Sequence, residues 1–228
     1  FWADKLSTPA DSLDLSEEPF LQNLIRAKTM KRGGAGYVSP DTGSFPQMNQ
    51  TNEFILAAGG IPTLTWLNGL SAGEQEIEKL IEVGMNTGVA ALNIIPDRNF
   101  TPGVDDEMVA NLYHVVEVAE KLDLPVVVGT EMNSPGQKFV DNFGSSELGS
   151  LLDVFRKGAH VVYAHSVMQG QCQLGYTSDW ARKKFTNTAE RNRFYEKLGR
   201  IIEPIKEDRL SGIDDDAAPE SIMATINN

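Results

Sequence analysis

At 228 residues and 41% apolar content, the chain is long enough to bury the core of one large α/β domain or of two small ones. Its 20 basic and 32 acidic residues give a net charge of −12 and a pI near 4.7, which excludes the dense basic face that a nucleic-acid binder needs. A single cysteine, Cys172, excludes an internal disulfide framework and a cysteine-rich zinc module. No segment approaches the run of about 18 apolar residues that crosses a bilayer, so neither nucleic acid nor membrane is expected as a partner.

The chain begins at Phe1 without a charged-then-apolar leader, and the expectation is a truncated or processed product. Cysteine usage fits a reducing cytosol, so a cytoplasmic location is expected. Three regions are predicted: an N-terminal helix with an irregular connector over 1–47, a strand-helix region over 48–206, and an acidic tail over 207–228.

In chain order, acids at Glu17 and Glu18 and a basic Lys31-Arg32 end predict a helix over 20–32, closed by Gly33-Gly34. Asp41-Thr42-Gly43-Ser44 matches the short signature of an aspartic-protease carboxylate, but it occurs once and between Pro40 and Pro46. That chemistry needs two such carboxyls sharing a proton, so a loop is predicted. A short helix from Met48 leads into a regular alternation: strand 61–67, helix 71–86, strand 89–95, helix 105–122, strand 125–130, helix 145–157 and strand 161–164. Ser71 and Glu74 have capping-box spacing at the start of the second helix. A long loop over 168–180, an amphipathic helix over 188–206 and a frayed surface tail around Asp214-Asp215-Asp216 complete the prediction.

Four strand-helix repeats with near-continuous apolar strands predict an α/β fold with parallel pairing, resembling a (βα)-barrel. A closed barrel takes about 250 residues and eight strands. The expectation is therefore the C-terminal half of a barrel, or a distorted and incomplete one.

The residues that follow the predicted strands are the candidate site. They are Trp66 and Asn68, then Asp97, Arg98 and Asn99, then Glu131 and Asn133, then His165 and Gln169. The opposite strand ends offer mostly turns, such as Gly59-Gly60, Thr87-Gly88 and Asp123. Carboxylates and an imidazole supplied by several strands can hold a divalent cation, which makes hydroxide available near neutral pH. Arg98 has the planar fork that recognises carboxylate or phosphate. The same residues also allow a barrel lyase, aldolase or sugar isomerase in which Glu131 abstracts a proton and His165 shuttles it. They equally allow a non-catalytic fragment or binding module.

The phrases KRGGAGYVSPDTGSFP, AAGGIPTLTWLNGLSAGE, AALNIIPDRNF, VVVGTEMNSPGQKFVDNF and VVYAHSVMQ, over about residues 30 to 200, resemble the C-terminal portion of the polymerase and histidinol phosphatase (PHP) domain family. The resemblance implies a distorted parallel barrel that hydrolyses phosphoesters with bound metals (Zn, Mn or Mg). By position it implies Glu131, His165 and Asp97 as metal ligands and catalytic groups. Arg98, Asn99, Asn133, Trp66, Asn68 and Gln169 would face a small anionic substrate. The family's opening strand carries an HxH pair that this chain lacks. A missing N-terminal half, or another chain, is then expected to complete the site.

Overall fold

The computed structural model describes residues 2–13, 16, 18–41, 43–99, 106–132 and 138–227, and divides the chain into two units, Phe1–Pro46 with Met132–Gln137 and Gln47–Glu131 with Lys138–Asn228. The first unit holds helices α1 (Trp2–Leu6) and α2 (Glu18–Thr29), with a 3-10 turn at Ala10–Ser12 between them. α2 opens on Glu18 and has Arg26 and Lys28 in its last turn, so its charges complement the helix dipole. Its end is fixed by the Thr29 hydroxyl donating to the Ile25 carbonyl (2.7 Å) and the Gly36 N–H donating to the Thr29 carbonyl (2.7 Å). Asp41 is a turn residue: it accepts from the Gly43 N–H (3.0 Å) and the Ser44 hydroxyl (2.7 Å), an Asx-type turn.

The second unit opens with α3 (Met48–Ala57) and continues β1 (Thr63–Trp66), α4 (Ala72–Gln75), α5 (Ile77–Asn86), β2 (Ala91–Ile94), a 3-10 turn at Pro96–Arg98, α6 (Asp106–Lys121) and β3 (Val126–Val128). The predicted helix 71–86 is broken at Glu76, whose φ of −101° and ψ of 49° interrupt the ladder between α4 and α5. The strands form one parallel sheet in the order β1-β2-β3, with Leu64 opposite Leu92 and Leu92 opposite Val126. Period-2 alternation sends Leu64, Trp66, Leu92, Ile94, Val126 and Val128 to one face. There they meet Ile77 and Ile81 of α5 and Leu112, Val115, Val116 and Ala119 of α6 in a single core. The other face carries Thr63, Thr65 and Asn93, and both threonines are exposed.

After α7 (Ser146–Gly149) comes α8 (Leu152–Cys172), which corrects the sequence prediction of a fourth strand at 161–164. Four apolar residues, VVYA, fit a strand or a helix equally well by themselves. Across the wider window, Phe155, Gly158, Val161, Ala164, His165 and Met168 are buried at helical spacing. The helix also lies where the next strand was expected. The Pro125 carbonyl accepts from the Leu92 N–H (2.9 Å), so by alternation the Val126 carbonyl points away from β2. A Cβ on Gly158 would lie only 1.8 Å from that Val126 oxygen, so α8 covers the outer edge of β3 at a glycine. The fold is thus α/β and mostly helical, with an open three-stranded parallel sheet among the described residues.

The remaining elements are α9 (Asp179–Lys184), α10 (Thr188–Ile201), a 3-10 turn at Pro204–Leu210 and α11 (Pro219–Asn227). α10 crosses α8 closely: a Cβ on Gly199 would stand 2.0 Å from the His160 carbonyl oxygen. These helices enclose a second core containing Val161, Met168, Tyr176, Trp180, Tyr195 and Leu198. The tail is not frayed as a whole. Asp214, Asp215 and Asp216 are exposed, but Ile222 and Ile226, four apart on α11, are buried in the second core. The Trp180 indole N–H also donates to the Ala217 carbonyl at 2.9 Å.

Candidate functional site

The carboxyl-terminal edge of the sheet is where loops converge in a parallel α/β protein. Trp66 ends β1 pointing into the core, 1% exposed. The chain then turns through Gly69, whose φ of +75° belongs to the left-handed region. Glu74 ties this turn to α4. One carboxylate oxygen accepts from the Leu67 N–H (2.6 Å), and the other from the Ser71 hydroxyl (2.7 Å) and N–H (3.3 Å). Partial burial works to raise the Glu74 carboxyl, but the Leu67 N–H and the Ser71 donors together outweigh it and hold it below the ordinary carboxylate value. Asn68 accepts from the Leu70 N–H (3.3 Å) through its side chain, and the Asn111 amide reaches its carbonyl at 3.4 Å.

After β2, Pro96 opens the 3-10 turn with a preset φ, and the turn carries the chain to Asn99. Asn99 is fully buried and its amide N–H group bridges the Leu67 carbonyl (2.8 Å) and the Ile95 carbonyl (3.2 Å), joining the ends of β1 and β2. Arg98 reaches the loop after β3, where its Nε and Nη2 donate to the two oxygens of Glu131, the latter at 2.6 Å. Their side chains are 37% and 19% exposed, so the pair stands at the surface of the edge rather than inside it. The Glu131 carboxylate, chiefly through this hydrogen bonding, raises the Arg98 guanidinium above its already high ordinary value. The edge therefore assembles Trp66, Asn68, Arg98, Asn99 and Glu131. Asn133 and the side chain of Asp97 lie outside the described residues.

His165 and Gln169 belong elsewhere, because both sit on α8. His165 is 7% exposed, and its Nδ1 accepts from the Tyr176 N–H at 2.9 Å. Burial lowers its pKa, against a smaller opposing effect of a hydrogen bond with the Gly59 backbone. Gln169 donates to the Gln173 side chain at 2.7 Å. A Cβ on Gly59 would lie 2.7 Å from the Gln169 amide nitrogen, and one on Gly175 would lie 2.8 Å from His165 Nδ1. Gly59 precedes β1, so these two side chains pack against the amino-terminal approach to the sheet. Sequence reasoning passed over Glu74, read there only as a helix cap. Its signal was the position of the Ser71–Glu74 box, directly after the first strand.

Zn, Mn or Mg would need three or more converging donors. Among the described residues no three His, Cys, Asp or Glu side chains come together. Glu131 presents both oxygens to Arg98, and His165 commits Nδ1 to backbone. These residues by themselves do not fit a metal. The Arg98 guanidinium, held in a fixed orientation by Glu131, is a group of the kind that can recognise an anion. Compared with protein families, with curated proteins and with solved structures, the chain matches none.

Proposed function

We propose that the carboxyl-terminal edge of the sheet is the substrate wall of a hydrolase acting on a small phosphoester, carried on an incomplete or distorted strand-helix barrel. The observation that carries this reading is the two-point Arg98–Glu131 pair, bridging the ends of adjacent parallel strands β2 and β3. Glu131 occupies one side of the guanidinium fork. The fork's remaining nitrogen, Nη1, has no partner among the described residues and matches a phosphate oxygen. The ion pair fixes the direction in which Arg98 presents it, and preorganised charge of this kind acts where negative charge develops in phosphoryl transfer. The PHP resemblance of the strand-end phrases supplies the reaction type.

Divalent metal dependence also comes from that resemblance, and the part played by Arg98 does not require it. A lyase or isomerase in which Glu131 is the base is disfavoured, because a carboxylate engaged on both oxygens is a poor proton acceptor. The test is release of p-nitrophenol from p-nitrophenyl phosphate by the full chain, with and without added Zn, Mn or Mg. Hydrolysis is expected, with a fall of about 100-fold in Arg98→Ala. No hydrolysis by the wild-type chain under any of these conditions would contradict a hydrolase site complete in this chain and favour a binding module or a site that needs a further segment.

A further inference from the structure

A cavity opens at the amino-terminal end of the sheet, where Leu124 and Pro125 lead into β3. It has a volume of about 200 Å³, is open to solvent on one side and is bounded by the end of α6, the amino-terminal half of α8 and one face of α10. That is below the roughly 300–1,000 Å³ of sites for drug-sized ligands, so its occupant is a small molecule. The floor is apolar, with Leu124, Val126, Val154 and Val161. The rim is charged with both signs: Lys157 from α8 and Arg193 from α10 face the cavity together with Glu120 of α6 and Asp123 of the following turn.

These four charges do not neutralise one another. Among the described residues none of them makes an ion pair, and the nearby Glu196 pairs with Arg200 (3.8 Å) rather than with either rim cation. One wall is rigid: the Asn192 side chain donates to the Asp123 carbonyl (2.7 Å) and accepts from the Tyr176 hydroxyl (2.6 Å). The room exists because α8 presents Gly158, also a lining residue, where any larger residue would meet β3.

We propose that this cavity binds a small zwitterion with an apolar body, of the α-amino-acid class. Its carboxylate would meet Lys157 and Arg193, its ammonium Glu120 and Asp123, and its aliphatic side chain the valine floor. Opposite charges that make no ion pair with one another around an apolar floor are complementary to such a ligand and to neither of its halves alone. The site is separate from the Arg98–Glu131 edge, which lies beyond the opposite ends of the strands.

Isothermal titration of the full chain with L-leucine tests this. Saturable binding is expected. The half-probes 4-methylpentanoate, which lacks the ammonium, and 3-methylbutylamine, which lacks the carboxylate, should each bind about tenfold more weakly or worse. The double variants Lys157→Gln with Arg193→Gln, and Glu120→Gln with Asp123→Asn, should each weaken leucine about tenfold or more. All four side chains belong to exposed residues, so melting temperatures should stay near wild type. Absence of saturable binding, equal binding of either half-probe, or wild-type affinity in either double variant would overturn the proposal.

Discussion

The core beneath the sheet is mainly aliphatic, with Trp66 and Phe155 added to strand residues such as Leu92 and Ile94 and two amphipathic helices, whereas the core among the C-terminal helices is built around a cluster of aromatic rings. Trp180, Phe185, Phe194 and Tyr195 meet there with centroids 5.1–6.4 Å apart, mostly edge to face. α8 belongs to both, with Phe155 in the first core and Val161, Ala164 and Met168 in the second. The difference separates two uses of polar residues. At the sheet edge, Arg98 and Glu131 pair with each other at the partly exposed surface. In the helical core, His165 is buried with Nδ1 hydrogen-bonded to backbone, as a structural group is.

If α8 makes the two cores one cooperative body, damage to the second must be felt in the first. Ile222→Ala removes a fully buried side chain on α11 and should cost about 2–5 kcal/mol. Urea unfolding followed by far-UV circular dichroism and by tryptophan fluorescence should give coincident curves in this variant. Separated curves would mean that the cores unfold independently.

Two glycines of α8 sharpen the comparison. Gly158→Ala drives a methyl group into the Val126 backbone and should destabilise by about 1–3 kcal/mol or more. Gly170 has nothing within 4 Å of a built Cβ, so Gly170→Ala should instead stabilise by about 0.5–1 kcal/mol through helix propensity. Chemical denaturation of the pair checks both signs, and equal effects would contradict the close approach of α8 to β3.

The smallest effect concerns His165. Its folded pKa lies below the ordinary histidine value of 6.5, because burial disfavours the charged ring. The unfolded chain therefore takes up its proton first as pH falls. The associated stability is complete above about pH 6.5 and is lost progressively below it, toward the folded pKa. Stability measured by urea titration between pH 7 and pH 5 should fall less steeply in His165→Gln than in the wild type. Equal slopes would place the pH dependence on other groups.

The sheet layer was legible because short apolar strands and amphipathic helices alternate there, and apart from the break at Glu76 the local signals agree with the tertiary outcome. Ser71 and Glu74 form the capping box that their spacing predicted. The edge residues Asn68, Arg98, Asn99 and Glu131 could be placed together because parallel pairing fixes which strand ends share a side. The helical core was read less well. Residues 161–164 carry β-branched and aromatic residues that suit a strand, and the helical spacing of buried residues from Phe155 to Met168, with the close contacts at Gly158 and Gly199, explains why α8 runs through them. His165 and Gln169 followed that segment out of the predicted site. α11 was hidden because its two buried isoleucines stand in a short segment behind three aspartates, too few for a periodic signal.

Binding of inorganic phosphate by the full chain is the most direct test of the site at the sheet edge. In isothermal titration, saturable binding is expected in the wild type and in His165→Gln. It should be lost in Arg98→Ala, whose stability should fall by no more than about 1 kcal/mol because the ion pair is partly exposed. Unchanged phosphate binding in Arg98→Ala, or no binding in the wild type, would contradict the assignment of Arg98 as the anion-recognising residue.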